Sequence, residues 1–107
     1  MTESTQKNKV SFENETKCRL KGIIDETIRR TESVQLLDEE LWKRFVQQFR
    51  SRSDSADARW RGEYWGKMMR GACLTYSYTQ NEELYGALTE TVRDMLSVQE
   101  ENGRISS

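Results

Sequence analysis

The amino-acid sequence predicts an all-α fold of about four antiparallel helices arranged in two hairpins. Hydrophobic residues recur every three or four positions in four segments, which is the spacing of the buried face of a helix. Polar turn-forming residues separate these segments, most clearly at 51–58 and 79–81. After residue 12 we find no segment that predicts a β-strand. The loop at 79–81 is so short that the third and fourth helices must be antiparallel neighbours.

The first 37 residues predict a tail, a short extended piece and one helix. Residues 1–9 are polar and indicate a disordered tail, and residues 10–107 form a single helical domain. Residues 10–12 alternate between apolar and polar side chains, which predicts a short extended segment. A helix from about 15 to 30 follows from the spacing of its apolar residues, Leu20, Ile23, Ile24 and Ile28. Gly22 weakens this helix by about 1 kcal/mol relative to alanine.

The second predicted helix has a clear beginning. Asp38 is a good N-cap, and the acidic pair 39–40 in the first turn suits the helix dipole. The apolar stripe of this helix repeats every four positions, at Leu37, Leu41, Phe45 and Phe49. Trp42 and Val46 widen it. Basic residues near position 50 suit the carboxyl end of the helix.

The third and fourth helices are predicted over about 62–78 and 82–99. The third carries a stripe of large and small residues that includes Trp65, Ala72 and Cys73. Asn81 is the predicted cap of the fourth helix, and the pair 102–103 is a stop signal that tolerates a left-handed backbone. The small residues of the third helix would let a bulky group approach closely.

Composition excludes several kinds of chemistry. The chain has 107 residues and no histidine, so catalysis by Ser-His-Asp or Cys-His groups and imidazole metal ligation are excluded. Its two cysteines, Cys18 and Cys73, are too far apart for a CxxC motif, and we expect two buried thiols rather than a disulfide. No apolar run approaches the ~20 residues of a membrane span, and the amino terminus lacks a signal peptide. We therefore expect a cytoplasmic protein with no membrane partner.

Charge is unevenly distributed along the chain although the net charge is −1. Residues 59–80 contain four basic and one acidic side chain, and residues 81–107 contain two basic and six acidic ones. This asymmetry predicts either an electrostatically complementary hairpin or a binding face. The hairpin is the favoured interpretation, since imbalances of this size are common on protein surfaces.

The segment 59–67 concentrates two tryptophans, a tyrosine, a carboxylate and three cations. Such a set suits a carbohydrate site, a nucleic-acid site that stacks bases on aromatic rings, or a helix start anchored in a core. Glu63 is the only acid of this segment, and no second carboxylate lies three or four positions away from it. Glycosidase chemistry needs two carboxylates about 5–10 Å apart, so the sequence identifies no catalytic residue.

Several motifs in a fixed order resemble the N-terminal helices of glycoside hydrolase family 127, the β-L-arabinofuranosidase-like enzymes. The resemblance covers residues 10–107 and is strongest at 59–106. It is carried by Trp60-Arg-Gly-Glu-Tyr-Trp-Gly-Lys67, Tyr76-Ser-Tyr-Thr-Gln-Asn-Glu-Glu-Leu84, Val92 and Gln99-Glu-Glu-Asn-Gly-Arg-Ile-Ser106. It implies that the chain is the truncated beginning of an (α/α)6 barrel, containing about four of its twelve helices.

The resemblance also implies a function for the parent enzyme, the hydrolysis of arabinofuranosyl or related glycosides in carbohydrate catabolism. The family uses a cysteine nucleophile beside a zinc ion, both held by residues downstream of these helices. Neither Cys18 nor Cys73 matches those positions, so no catalytic residue, metal ligand or cofactor is assigned to this chain. The positions that match the family become candidates for the substrate rim or the scaffold: Trp60, Glu63, Trp65, Lys67, Gln99 and Gly103.

We expect the 107-residue chain by itself to be inactive and its parent to bind carbohydrate. A fragment of a barrel would expose an apolar face, which predicts self-association. The alternative is a self-sufficient helical module that binds a protein or a nucleic acid. The near-zero net charge argues against nucleic acid.

Overall fold

The structure is a computed structural model that describes residues 18–51 and 61–105, with the side chain of Arg61 excepted. It is all-helical, as predicted, and its described ranges contain no strand. Outside them lie the predicted tail 1–9, the extended piece 10–12, most of the loop 51–58 and Trp60. The elements are α1 (Ile23–Thr31), a π-helical turn (Glu32–Leu36), α2 (Glu39–Ser51), α3 (Arg61–Thr79) and α4 (Glu82–Ser97).

Helix α1 begins later than the sequence predicts. Residues 18–22 are not helical, and Gly22 adopts a positive φ of 70° immediately before Ile23. This left-handed backbone breaks the helix on its amino-terminal side, which a residue with a side chain rarely does. The carbonyl of Gly22 accepts the first helical hydrogen bond, from the amide of Glu26 at 3.0 Å.

A single π-helical turn follows α1, and the sequence analysis does not anticipate it. The amide of Leu37 donates to the carbonyl of Glu32 at 3.0 Å, five residues back. The turn buries Glu32, which is only 5% exposed, together with Leu36. Such wide turns often occur where a structure needs to redirect side chains, and here the redirected side chain is a carboxylate.

Glu32 ties the π-helical turn to the loop between α3 and α4. Its carboxylate accepts a hydrogen bond from the Thr79 hydroxyl at 2.5 Å and another from the Asn81 side-chain amide at 3.0 Å. Both carboxylate oxygens therefore have partners, which a buried charge requires. This single side chain joins two parts of the chain that are almost fifty positions apart.

Helix α2 has the predicted cap but a shifted buried stripe. Asp38 accepts hydrogen bonds from the amides of Glu40 at 3.1 Å and Leu41 at 3.2 Å. The buried side chains are Trp42, Val46 and Phe49, whereas the predicted stripe members 37, 41 and 45 are only half-buried. The buried side of α2 is therefore rotated by one residue relative to the predicted stripe, because this helix packs against both α3 and α4.

Helices α3 and α4 pack side by side in opposite directions. Tyr76 and Tyr85 contact each other near the loop, with ring centroids 5.4 Å apart, and Trp65 contacts Thr91 farther along both helices. The loop reverses the chain through Gln80, whose φ is 53°, and Asn81 caps α4 by accepting from the amide of Glu83 at 3.0 Å. Both the turn and the cap are as predicted, while the arrangement as hairpins of a barrel stays a prediction.

The core consists of two adjoining clusters between α2, α3, α4 and the π-helical turn. Trp42 packs edge-on against Trp65, with ring centroids 6.5 Å apart and planes at 76°. Trp65 is the side chain shared by both clusters. The buried members are Leu36, Trp42, Ala72, Leu84 and Leu88 in one and Val46, Phe49 and Met95 in the other.

The prediction of two buried thiols is wrong. Cys18 and Cys73 are both exposed and free. Cys73 directly follows the fully buried Ala72, and one position turns a side chain about 100° around a helix. The thiol is thereby carried to the outer side of α3, where its sulfur lies 3.6 Å from that of Met69.

Replacing Glu32 by alanine tests its role in joining the two segments. The substitution leaves the Thr79 hydroxyl and the Asn81 amide without their acceptor, and we expect a loss of about 1–3 kcal/mol in the free energy of unfolding. Urea denaturation measures the loss. Glu26→Ala, at an exposed position of α1, is the matched control. Equal stability of the two variants would contradict the role assigned to Glu32.

Candidate functional site

A cleft of about 380 Å³ opens between α2, α3 and the π-helical turn. Its aromatic wall is formed by Phe45 of α2 and Tyr64 of α3, whose rings stack with centroids 6.2 Å apart and planes at 18°. Tyr64 is 46% exposed, so part of its surface is open to solvent. An aromatic wall with a few polar groups is the usual composition of a small-molecule site.

The α3 side of the cleft follows from helical spacing. Tyr64, Lys67, Met68, Gly71 and Thr75 recur every three or four positions and line the cleft together. Gly71 leaves room there, because a Cβ atom at this position would meet nothing within 4 Å. The Thr75 hydroxyl donates to the carbonyl of Gly71 at 2.9 Å. The helix therefore presents a ring, an ammonium group and a hydroxyl over three turns.

Polar side chains also line the cleft from the opposite side. Thr31 at the end of α1 and Gln35 in the π-helical turn contribute a hydroxyl and an amide. The remaining polar group is the ammonium of Lys67, which pairs with Glu63 one turn earlier. The hydrogen bond from Lys67 to Glu63, followed by their charge attraction, raises the pKa of the lysine.

The described lining of the cleft offers groups that can bind a ligand. Its described lining residues include hydroxyl, amide and ammonium groups but no carboxylate. General acid–base hydrolysis of a glycoside needs two carboxyl groups on either side of the bond. These residues suit a neutral ligand that has many hydroxyl groups and an apolar ring face.

Lys67 lines this cleft, Glu63 lies outside its lining as the partner of Lys67, and Trp65 packs against the core. Trp65 is half-buried, and its indole N–H donates to the buried Thr91 hydroxyl at 3.1 Å. Among the candidates from the sequence, Trp65 is therefore a scaffold residue. Trp60 lies outside the described residues.

Gln99 and Gly103 form a turn beyond α4. The Gln99 side-chain amide donates to the carbonyl of Gly103 at 2.7 Å, and the amide of Gly103 donates to the carbonyl of Glu100 at 2.8 Å. Gly103 has a φ of 87°, as its role in a tight turn requires. The predicted helix stop at 102–103 is misplaced, because α4 already ends at Ser97.

Trp65 and this turn lie at the same end of the molecule. Trp65 packs against the cluster that also contacts Val98, the residue before Gln99. The start of α3 and the end of α4 meet there because the two helices run in opposite directions. The cluster of Val46, Phe49 and Met95 is what Trp65 and Val98 have in common.

Most residues of the cleft are not among the candidates that the sequence predicts. Phe45 is predicted as part of the core stripe, and Tyr64 belongs to the aromatic segment 59–67. No sequence motif indicates Thr31, Gln35 or Thr75. Helical spacing of 64, 67, 71 and 75 was the available signal, whereas the α2 and π-turn contributions depend on how the helices pack.

A second cleft of about 320 Å³ lies between α2 and α4. It is lined by acidic and basic side chains, and an ion pair between Arg50 and Asp94 crosses it. Arg50 also donates to the Ser97 hydroxyl at 2.8 Å. The Arg50–Asp94 pair joins α2 to α4 across this cleft, and Glu39, Lys43 and Glu90 also line it.

A polar cluster holds α1 against the end of α3. The Tyr78 hydroxyl lies 2.6 Å from the carboxylate of Asp25 and accepts from the amide of Leu20 at 3.2 Å. Arg29 pairs with Asp25 at 3.0 Å and lies over the Tyr78 ring. The Tyr78 hydrogen bond lowers the pKa of Asp25, assisted by the charge of Arg29. The same bond, and then burial, raise the pKa of Tyr78.

Two further properties concern the described part of the chain. No helix in it is both long and apolar enough to span a bilayer. Nor do its cysteine, aspartate and glutamate side chains form a group of three that could hold a metal ion. The exposed Cys18 and Cys73 supply no zinc site of the kind that the resemblance implies for the parent, so no chemical step is assigned to zinc in this chain.

Comparison with known proteins finds no matching family model, curated protein or solved structure. The resemblance to the arabinofuranosidase-like enzymes therefore remains a prediction.

Replacing Trp65 by alanine distinguishes a scaffold role from ligand contact. We expect a loss of about 2–3 kcal/mol in unfolding free energy, below the ~3–5 kcal/mol of a fully buried aromatic residue. Urea denaturation followed by far-UV circular dichroism measures it. Glu63→Ala, two positions away in α3, should change the stability little. Unchanged stability of the tryptophan variant would contradict the scaffold role.

The pKa of Asp25 should rise towards its ordinary value of 3.8 when Tyr78 is replaced by phenylalanine. The hydrogen bond between Tyr78 and Asp25 lowers the pKa of Asp25 in the folded state. It therefore stabilises the fold at pH values above the ordinary carboxyl pKa, and this stabilisation is lost as the pH falls through the lowered pKa. Because the pKa of Tyr78 is raised, the same stabilisation is also lost when the tyrosine ionises in strong alkali. Carbon-13 NMR titration of the carboxyl group measures the change.

The matched control for this titration is Tyr85→Phe, which removes a hydroxyl elsewhere on the surface. It should leave the pKa of Asp25 as it is in the unaltered chain. An Asp25 pKa that is equally low with and without the Tyr78 hydroxyl would show that Arg29 alone is responsible.

Proposed function

We propose that this chain is the N-terminal helical part of a glycoside hydrolase resembling the β-L-arabinofuranosidase-like enzymes, and that it contributes carbohydrate-binding surface and scaffold rather than catalytic groups. The observation that carries the proposal is the cleft walled by Phe45 and Tyr64. It places an exposed tyrosine ring beside hydroxyl, amide and ammonium groups.

The chemistry of the cleft supports a sugar as its ligand. The apolar CH surface of a furanose or pyranose ring packs against an aromatic ring, and its hydroxyl groups need donors and acceptors. Tyr64 offers the ring, Lys67 offers donors, and Gln35 offers both a donor and an acceptor. Gly71 leaves the space that a ring would occupy.

The location of the cleft agrees with the resemblance. The segment of strongest resemblance includes α3 and α4, and of its matching positions Lys67 lines the cleft and Glu63 pairs with it. Trp65 packs against the cluster of Val46, Phe49 and Met95 and so holds the beginning of α3 in place. The parent enzyme would hydrolyse arabinofuranosyl or related glycosides, with nucleophile and zinc supplied by later residues and a cytoplasmic location.

Nucleic-acid binding is less well supported at the cleft, because the basic side chain in its described lining, Lys67, is paired with Glu63. Arg29 and Arg50 are likewise paired, with Asp25 and Asp94. Phosphate binding depends on cations that can exchange small counterions for phosphates. The alternative of a helical protein-binding module is favoured by one observation, the large apolar side chains of Tyr85, Val92 and Leu96 that α4 exposes.

Titration of the nitrogen-15-labelled chain with an arabinofuranosyl oligosaccharide tests the proposal. We expect NMR shifts centred on Tyr64, Lys67 and Thr75, with a dissociation constant of about 1 mM, since a single shallow cleft gives few contacts. Tyr64→Ala should abolish these shifts. Tyr85→Ala, at an exposed tyrosine of α4, should leave them unchanged.

Two results would contradict the proposal. One is the absence of shifts in the cleft at saturating sugar, or shifts that persist in Tyr64→Ala. The other is release of arabinose by the purified chain itself, because the proposal gives this chain no catalytic groups.

A further inference from the structure

Asn102 and Gly103 form the one Asn-Gly pair of the chain. The side-chain carbonyl carbon of an asparagine can be attacked by the backbone nitrogen of the next residue, because the two atoms are only a few bonds apart. A side chain on that next residue hinders the attack, and glycine has none. The other asparagines, at positions 8, 14 and 81, precede lysine or glutamate. The sequence therefore makes Asn102 the most reactive asparagine of this chain.

The structure leaves this pair accessible to solvent. Asn102 and Gly103 are both exposed in the turn that follows α4. Among the described residues, a Cβ atom built on Gly103 would have one neighbour within 4 Å, the side-chain nitrogen of Gln99 at 3.8 Å. Water and base can therefore reach both the attacking nitrogen and the carbonyl carbon.

A backbone donor holds the side-chain oxygen of Asn102. The amide of Arg104 donates to the Oδ1 atom of Asn102 at 3.0 Å. Negative charge develops on this oxygen when a nucleophile adds to the carbonyl carbon, and a donor already in place stabilises that charge. The same contact folds the asparagine side chain back along the main chain, past the nitrogen of Gly103. The turn therefore favours the attack at its carbonyl end.

Three hydrogen bonds restrain the attacking nitrogen and the turn around it. The amide of Gly103 donates to the carbonyl of Glu100 at 2.8 Å, and the amide of Glu100 donates to the carbonyl of Arg104 at 2.8 Å. The side-chain amide of Gln99 donates to the carbonyl of Gly103 at 2.7 Å. The nitrogen has to lose its proton before it attacks, and the first of these bonds holds that proton. The turn must therefore open before the reaction occurs.

We propose that Asn102 is a site of spontaneous deamidation whose rate is set by the turn 99–104. The nitrogen of Gly103 bonds to the side-chain carbonyl carbon of Asn102, the bond from that carbon to the amide nitrogen breaks, and ammonia leaves with the proton of the Gly103 nitrogen. The cyclic imide then takes up one water molecule. Its hydroxyl group goes to either carbonyl carbon and its hydrogen to the ring nitrogen, which gives aspartate or isoaspartate at position 102.

The product alters the segment after α4 in two ways. Both forms add a carboxylate directly after Glu100 and Glu101, and three successive negative charges repel one another. Isoaspartate also carries the main chain through the former side chain, so the backbone lengthens and the groups that bond across the turn lose their register. The open turn is favoured from then on, and the loss of ammonia makes the change irreversible. The inference does not rest on the proposed carbohydrate function, because residues 99–104 do not line the cleft.

Incubation of the full chain at mildly alkaline pH, followed by peptide mapping with mass spectrometry, tests the proposal. Asn102 should be converted before any other asparagine, with isoaspartate among its products, while Asn81 is retained. Asn102→Gln is the control, because the longer side chain has to close a larger ring, and it should show no conversion at this position. Conversion of Asn81 at an equal or higher rate than Asn102 would overturn the proposal.

Gln99→Ala tests whether the turn sets the rate. Gln99 is exposed, so the helices should stay folded without its side chain, which circular dichroism verifies. Loss of its hydrogen bond to Gly103 eases opening of the turn, and Asn102 should be converted about 2- to 10-fold faster than in the unaltered chain. Gln47→Ala, at an exposed position of α2, is the matched control and should leave the rate unchanged. Equal rates in the two variants would show that the turn does not control the reaction.

Discussion

Two indole groups hold the described part of this molecule together. Trp42 of α2 donates its N–H to the carbonyl of Leu36 at 2.8 Å, and Trp65 of α3 donates to Thr91 of α4 at 3.1 Å. The two rings meet edge to face between these bonds. The π-helical turn and three helices are therefore joined by one continuous contact that buries large apolar surfaces and satisfies both polar atoms. Every other surface feature takes its position from this arrangement.

Helix α3 shows how one core fixes several surfaces. Because Trp65 and Ala72 point inwards, the residues on either side of them are turned outwards in opposite directions. Tyr64 and Lys67 line the cleft beside α2, whereas the Cys73 thiol is exposed beside Met69. Positions 64 and 73 are about 180° apart around the helix. The cleft and the exposed thiol therefore lie on different sides of α3.

Electrostatics acts mainly inside the chain. Glu32 and Asp25 are both engaged by side chains of the α3–α4 region, Thr79 and Asn81 for the first and Tyr78 for the second. Basic residues that the sequence concentrates before position 80 are partly neutralised by neighbours, as Lys67 is by Glu63. The basic side chain in the described lining of the cleft is Lys67, whose charge Glu63 offsets. This favours a neutral ligand for the cleft.

The sequence by itself determined the elements with local causes. Four helices, the caps at Asp38 and Asn81 and the turn before Asn81 follow from spacing and short-range hydrogen bonds, and the structure confirms them. Which apolar residues are buried was decided only by tertiary packing, because a difference of one position turns a side chain by about 100°. For this reason Cys73 is outside and the α2 stripe is shifted. The π-helical turn and the cleft likewise depend on partners far away in the chain, which no local pattern contains.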